Sequence, residues 1–220
     1  MDTSAAFLSD PPADPLVTGA YEADVASDGY VSNLTRVWCW RPDVMTSFQA
    51  LRADLVATSS LSPREVAVMV AATAAARGDA YCALAWGNRL AELSDEATAA
   101  NVLRGRDAGL SGREAALAAW SGQVVRDPNA TTGADVSQLR QAGLSEQEIF
   151  EATALIAFRM AFSTINDALG ARPDPQLADK APRLVRDAVT YGRPALTGST
   201  ASAQPQAISK APTSQPDQHR

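Results

Sequence analysis

Apolar side chains follow one another almost without a break over residues 66–76, inside the longer stretch 61–93. Ser62 precedes this run and Glu65 stands three residues after the serine, which is the spacing of a capping box at a helix start. Gly78 supplies the left-handed residue that ends such a helix. A helix with almost no polar face is buried on all sides, so we expect this one to form the centre of the core.

A second helix is predicted directly after Gly78, with Asp79 as its N-cap. Cys82 then falls in the first turn, where free backbone N–H groups and the helix dipole favour a thiolate. The Asp79 carboxylate acts in the opposite direction, because a nearby negative charge favours the neutral thiol. The position leaves two interpretations open: a reactive cysteine, or a small buried residue without chemistry.

Further candidate site residues surround this pair in the sequence. Trp86 lies one turn after Cys82 on the same helix face, where it either lines a substrate pocket or packs in the core. Tyr81 has the same two interpretations. Asp79 either serves as a cap alone or also exchanges a proton with the sulfur. Asn166 is a polar residue on a long apolar helix, so it needs a hydrogen-bond partner in the core or a ligand in a pocket.

The rest of the chain also shows helical spacing and no strand pattern. Further capping boxes begin at Ser111 and Ser145. We therefore predict an all-α fold built around the helical hairpin of residues 61–93. The other predicted helical segments are 21–27, 31–40, 42–58, 96–103, 115–125, 132–141, 146–169 and 175–191. The predicted organisation is a mobile N-terminal arm over 1–20, a helical domain over 21–192 and a disordered tail over 193–220.

Composition narrows the classes of function. The 220-residue chain has a net charge of −6 and a pI near 4.8, which argues against nucleic acid and anionic membranes as partners. The N-terminal residues lack the basic start and apolar run of a signal peptide, and no apolar run is long enough to cross a bilayer. Two cysteines are too few for a disulfide scaffold, so we expect a reducing, cytoplasmic location.

Histidine is missing from the predicted helical domain, since His219 in the tail is the only one in the chain. That removes catalytic schemes in which histidine is the base of a nucleophile. No carboxylate or cysteine spacing indicates a metal site, and no phosphate loop or dinucleotide fingerprint occurs. We therefore expect no metal and no cofactor.

The sequence SPRE, a helix of small residues and then GDAYCALAW resemble the core motif of the carboxymuconolactone decarboxylase and alkylhydroperoxidase D-like family. The segment 124–170 is similar to the second half of the peroxidase-related members, and the resemblance covers about residues 28–172. It implies an all-α alkylhydroperoxidase D-like fold and thiol-based peroxide reduction. Cys82 would occupy the peroxidatic position.

The same resemblance implies that most of the catalytic set is replaced. Family members carry two cysteines, a glutamate and a histidine. In this chain Asp79 takes the place of the first cysteine, Trp86 that of the histidine and Ala67 that of the glutamate. Two functions stay open. One is a one-cysteine peroxidase or thiol oxidoreductase that needs an external thiol reductant to resolve a sulfenic acid. The other is a redox-silent relative that binds a small ligand or forms a structural oligomer.

Two further expectations concern packing. Cys39 lies between two tryptophans and should be a buried, unpaired thiol. The helices over 66–76 and 146–169 carry more apolar surface than one packed face needs, which favours a homo-oligomer. The resemblance implies a trimer or a hexamer.

Overall fold

The structure, a computed structural model, describes residues 4–196, and within them the regular elements are helices without a strand. A 3-10 turn, Pro128–Ala130, lies between the helices Gly112–Arg126 and Gly133–Gln141. No helix of this part of the chain is both long and apolar enough to span a membrane. The helices are α1 (Pro15–Asp28), α2 (Asn33–Trp38), α3 (Pro42–Ala57), α4 (Pro63–Arg77), α5 (Ala80–Leu93), α6 (Glu96–Leu103), α7 (Gly112–Arg126), α8 (Gly133–Gln141), α9 (Glu146–Ala168), α10 (Pro175–Lys180) and α11 (Arg183–Ala188).

Helix α4 is the centre of the molecule, as its apolar sequence predicts. Every residue from Glu65 to Ala74 is buried, and the helix contacts α5, α6, α7 and α9. The predicted capping box is present, because Ser62 and Glu65 each accept a hydrogen bond from the other's backbone N–H. Gly78 ends the helix with a φ of 72°. Val68 packs in one core cluster with α5, α6 and α11, and Met69 packs in a second with α7, α8 and α9.

The structure corrects the mobile arm predicted over residues 1–20. Helix α1 begins at Pro15, because Asp14 caps it by accepting a hydrogen bond from the Leu16 N–H at 2.8 Å. Upstream of the helix, Ala6 is buried, and the N–H of Phe7 donates to the carbonyl of Leu169 at 2.9 Å. These contacts attach the segment to the end of α9. Residues 1–3 of the predicted arm lie outside the described residues.

The single helix predicted over 175–191 is also wrong. Two short helices, α10 and α11, stand there instead, and Ala181 and Pro182 interrupt them because proline lacks the N–H that a continuous helix needs. The chain then returns to the body, since the N–H of Leu196 donates to the carbonyl of Pro173 at 3.1 Å. Most of the tail predicted to be disordered, residues 197–220, lies outside the described part.

The apolar surface that favours self-association is largely used within one chain. Helix α4 is buried throughout its middle, so it leaves no apolar face for a partner. On α9, Phe150 is 70% exposed and Ile165 is 37% exposed. The homo-oligomer therefore stays a prediction, and what supports it in the structure is the outer side of α9.

Candidate functional site

The candidate site is built on the first turn of α5. Asp79 caps this helix as predicted, because its Oδ1 accepts a hydrogen bond from the Cys82 N–H at 2.9 Å. Asp79 has no exposed surface and Cys82 is 3% exposed. The cap therefore places a carboxylate beside a thiol, and both are shielded from bulk water.

The Cys82 thiol is held in its neutral form. Burial raises the pKa of Cys82 well above its ordinary value, and the Asp79 carboxylate raises that pKa further. Two groups act weakly in the other direction: the Arg159 guanidinium, and the hydroxyl of Ser163, which donates to the Cys82 sulfur at 3.9 Å. Burial and the Asp79 carboxylate thus both favour the protonated thiol, and burial is the larger cause.

Helix α9 supplies the wall opposite the thiol. Arg159, Ser163 and Asn166 occupy successive turns on one side of α9, and they are 5%, 2% and 1% exposed. The Arg159 guanidinium lies over the Trp86 ring, 4.5 Å from its centroid, in a cation–π contact. Trp86 thus contacts the buried guanidinium of Arg159, while its role as a pocket residue stays a prediction.

A motif-based prediction misses Arg159 and Ser163, because no local pattern links them to Cys82. The signal that marks them is the buried stripe of α9, which includes Ala152, Leu155 and Ile156 and reaches Arg159 one turn later. A charged residue at a core position of an amphipathic helix is a candidate for a functional role, because burying it is unfavourable without a partner.

A second arginine reaches the same region from α3. The Arg52 guanidinium lies 5.3 Å from the Phe162 ring centroid, and Arg159 lies 5.9 Å from the same ring. Burial lowers the pKa of Arg159 to about 9, and the positive charge of Arg52 adds to this effect. Burial also lowers the pKa of Arg52. The site thus holds two cations close to one thiol.

Several buried polar atoms at this site have no hydrogen-bond partner in the described part of the chain. The Asp79 carboxylate contributes to the raised pKa of the Tyr191 phenol and influences Arg159, so these groups lie near one another. Buried polar groups are bonded as a rule, so such a set indicates ordered water or a ligand. The unpartnered atoms are Asp79 Oδ2, Arg159 Nε, Asn166 Nδ2 and Tyr191 Oη.

Asn166 shares the α9 side of Arg159, as a site residue would. Its Oδ1 accepts a hydrogen bond from Trp38 Nε1 at 2.8 Å, so part of the amide serves the core. Its Nδ2 is buried and unpartnered among the described residues. The amide oxygen of Asn166 thus makes a hydrogen bond in the core, while its amide nitrogen could donate to a ligand.

Tyr81, another predicted site residue, makes its hydrogen bond away from the thiol. Its hydroxyl donates to Asp174, and the other oxygen of that carboxylate accepts from the Asn33 N–H at 3.0 Å. Burial raises the pKa of Asp174 to about 6. Adjacent positions on a helix face different directions, so Tyr81 joins α5 to the segment before α10 while Cys82 faces α9.

The other positions compared with the family motif carry no substitute groups. Ala67 is fully buried and has no carboxylate. Glu65, two residues earlier, already accepts from the Ser62 N–H and pairs with Arg113. Cys39 is buried and free, as predicted, in a separate cluster with Trp38, and burial raises its pKa to about 11.

The surface groove between α1 and α3 lies away from Cys82. Its volume is about 410 Å³, and none of the residues around Cys82 lines it. Within residues 4–196, no cluster of His, Cys, Asp and Glu side chains has an arrangement that could hold a metal ion. The chemistry available at the site is therefore that of a thiol, a carboxylate and two guanidinium groups.

Comparisons with known proteins agree with this architecture. No protein-family model matches the sequence, and no curated protein matches it at a significant level. A peroxidase-related protein from Silicibacter sp. TM1040 superimposes with a TM-score of 0.71 and 22% identity, over 79% of this chain and 94% of that chain. A peroxidase-related protein with an alkylhydroperoxidase AhpD core, from Ralstonia eutropha JMP134, gives 0.70 and 22%, over 79% and 95%.

A third solved structure adds a different activity to this group. The debrominase Bmp8 in complex with 2,3,4-tribromopyrrole superimposes with a TM-score of 0.65 and 15% identity, over 79% of this chain and 95% of that chain. These likenesses show the fold. The chain has the alkylhydroperoxidase D-like helical fold, which confirms the architecture expected from the sequence resemblance.

Proposed function

We propose that this protein is a thiol oxidoreductase that reduces a small electrophile, with a hydroperoxide as the simplest substrate, at Cys82. One observation carries the proposal: the Cys82 thiol lies beside a buried carboxylate whose second oxygen, Asp79 Oδ2, has no partner among the described residues. A nucleophile that is weak at its own pKa is activated by an adjacent base. A buried, unpartnered carboxylate oxygen is such a base.

The reaction needs one proton to move from sulfur to the leaving group. Asp79 accepts the proton of the Cys82 thiol as the sulfur attacks the terminal oxygen of the hydroperoxide. The O–O bond breaks, the sulfur takes that oxygen to become a sulfenic acid, and Asp79 returns the proton to the departing alkoxide. The Arg159 guanidinium stabilises the negative charge that passes through this arrangement.

An external thiol completes the cycle. Cys39 packs in a separate cluster, so it does not supply a resolving thiol next to Cys82. A first external thiol attacks the sulfenic acid and releases water, which leaves a mixed disulfide on Cys82. A second external thiol then releases the free Cys82 thiol and an oxidised disulfide. One hydroperoxide and two thiols thus give one alcohol, one water and one disulfide.

The test is steady-state consumption of cumene hydroperoxide with dithiothreitol as reductant. We expect turnover by the unmodified protein and by Cys39→Ser, and loss of it in Cys82→Ser. The Cys39→Ser variant is the matched control, because it removes a buried thiol outside the site. Equal consumption by Cys82→Ser and the unmodified protein would refute the proposal. 2,3,4-Tribromopyrrole belongs in the substrate panel, because a protein of this fold binds it.

A second candidate is a redox-silent protein that binds a small molecule. The burial of Cys82 and its raised pKa favour it, because the protonated thiol is a poor nucleophile. Under this alternative, Cys82→Ser leaves both the fold and the ligand affinity unchanged, and no variant consumes the substrate. The same assay therefore separates the two candidates.

A further inference from the structure

Two guanidinium groups near Cys82 lack a counter-charge. Arg159 is 5% exposed, Arg52 is half-buried, and the Nε of each is buried without a hydrogen-bond partner in the described chain. Neither side chain forms an ion pair with a carboxylate of residues 4–196. Burial of a charge is unfavourable unless another group compensates it, so the absence of a partner here requires an explanation.

The half-buried arginines at another interface of the same protein are paired. Arg64 binds Glu114 at 2.7 Å, and Arg113 binds both Glu65 and Glu148. The fold therefore supplies carboxylates where arginines join α4, α7 and α9. Arg52 and Arg159 differ from Arg64 and Arg113, because they have no carboxylate partner among residues 4–196.

Ring stacking does not replace the missing partner. Arg159 lies over Trp86 and Phe162, and Arg52 lies over Phe162 and Phe48. A stacked guanidinium contacts the ring through its flat face, whereas its N–H donors point outward in its own plane. The aromatic rings thus hold the two cations in place and leave the buried Nε–H of each without a partner among residues 4–196.

The nearest carboxylate does not complete the site either. Asp79 influences the pKa of Arg159, but no ion pair forms between them, and Asp79 Oδ1 is used by the Cys82 N–H. Of the two guanidinium groups, only that of Arg159 interacts with this buried carboxylate. One more negative charge would balance the group.

We infer that Arg52 and Arg159 bind the carboxylate of a small organic anion, whose apolar body packs on the adjacent rings. A guanidinium matches a carboxylate through two parallel N–H···O bonds, and the unpartnered Nε–H of each arginine can supply one of them. The rings available to the apolar body are those of Phe48 and Phe162, which are partly exposed, whereas Trp38 is 6% exposed and stacks on both of them. Small organic anions of this kind would then be the substrate class of Cys82, a conclusion that rests on the proposed function.

The experiment uses the full chain with Cys82→Ser, so that binding is measured without any thiol chemistry. Benzoate and its neutral analogue benzyl alcohol are titrated by calorimetry at pH 7. We expect benzoate to bind at least about tenfold more tightly than benzyl alcohol, because charge-assisted bonds to arginine require the anion. Arg52→Met and Arg159→Met should each weaken benzoate binding by at least about tenfold.

Two controls keep the result interpretable. Arg41→Met removes an exposed arginine that pairs with Asp43, so it should leave benzoate affinity unchanged. Thermal unfolding of ligand-free Arg159→Met should give a Tm equal to or above that of the parent, because the variant removes an uncompensated buried charge.

Equal affinity for benzoate and benzyl alcohol would overturn the inference, and so would benzoate binding that neither arginine variant weakens. Because Arg52 is less buried than Arg159, its variant still decides the question if Arg159→Met does not fold. A failure of anion binding with intact peroxide turnover would refute this inference alone. Anion binding without turnover would refute the proposed function alone.

Discussion

The Asp79 carboxylate accepts the Cys82 N–H through one oxygen at 2.9 Å, while its other oxygen is buried and unpartnered among the described residues. The residue that caps α5 is therefore also the carboxylate closest in sequence to the thiol. In the proposed mechanism this relationship compensates for the raised pKa of Cys82, because the base that keeps the thiol neutral also removes its proton during attack. The roles of Asp79 as a cap and as a base can be separated by substitution.

Asp79→Asn should keep the cap and remove the base. Asparagine caps helices about as well as aspartate, so the free energy of unfolding should change by less than about 0.5 kcal/mol, whereas Asp79→Ala should cost about 1 kcal/mol. The pKa of Cys82 should fall in Asp79→Asn, yet stay above its ordinary value because burial is the larger cause. Peroxide turnover should fall by about 100-fold or more, as expected for loss of a general base.

The measurement is the alkylation rate of Cys82 against pH in a Cys39→Ser background, together with turnover and urea unfolding. A lower thiol pKa accompanied by undiminished turnover would remove Asp79 from the mechanism and leave it as a cap.

Gly192 packs against the backbone at the start of α5, so its replacement should expose the site. It has a φ of 70°, and a Cβ there would lie 2.5 Å from the Gly78 carbonyl oxygen and 2.8 Å from the Ala80 nitrogen. Backbone atoms cannot move aside easily, so Gly192→Ala should destabilise the protein by roughly 1–3 kcal/mol. Cys82 should also become more reactive towards iodoacetamide.

Gly29→Ala is the matched control for Gly192→Ala. It has a φ of 85° and open space around its Cβ, so it should show only the backbone cost of roughly 1 kcal/mol. Cys82 alkylation should not change in this variant. Equal alkylation rates in both glycine variants would show that the segment around Gly192 does not shield the thiol.

Asp174 should make the protein less stable as the pH rises from about 4 to about 6. Its pKa rises from an ordinary value of 3.8 to about 6 on folding, mainly through burial. The folded state therefore keeps the proton in a window where the unfolded state has lost it, so the contribution is complete below this window and lost above it. A shift of about two pKa units corresponds to roughly 3 kcal/mol at most.

Urea unfolding of Asp174→Asn at pH 4 and pH 7 tests this linkage. The loss of stability between the two pH values should be smaller than in the unmodified protein, and a residual loss should remain because burial also raises the pKa of Asp167 to about 6. Asp43→Asn is the control, since the hydrogen bond to Arg41 lowers the pKa of Asp43 to about 2 and places its titration below this window. An unchanged loss in Asp174→Asn would contradict the linkage.

Arg113 joins the capping boxes of α4 and α9, because it pairs with Glu65 and Glu148. Arg113→Met should destabilise the protein by roughly 1–3 kcal/mol, since it leaves two largely buried carboxylates without their counter-charge. Arg140→Met breaks an exposed pair with Glu146 and should cost less than about 1 kcal/mol. Urea unfolding at pH 7 measures both variants, and similar costs for them would show that Arg113 does not stabilise the helix junction.

Features encoded by neighbouring residues could be predicted from the sequence. The capping boxes at Ser62, Ser111 and Ser145 and the Asp79 cap are all present, because each depends on residues three positions apart. The errors arise where distant contacts decide. The segment before Pro15 is held by the end of α9, and no local signal shows that.

In the candidate site, too, the local contacts could be predicted from the sequence and the long-range contacts could not. Asp79 and Cys82 are predicted together because one helical turn joins them. The contact of Trp86 with Arg159 joins residues on α5 and α9, and the bond of Tyr81 to Asp174 joins α5 to the segment before α10. Such long-range pairs depend on how helices pack, so sequence spacing could name Trp86 and Tyr81 as candidates without deciding which of them reaches the thiol.

The most direct test of the central claim is to trap the oxidised form of Cys82. The full chain receives one equivalent of cumene hydroperoxide at pH 7 in the presence of dimedone, and peptide mass spectrometry locates the adduct. The mechanism predicts a dimedone adduct on Cys82, none on Cys39, and strong suppression in Asp79→Asn. A folded protein whose Cys82 peptide stays unmodified under these conditions would contradict the thiol mechanism and leave the redox-silent ligand-binding protein as the function.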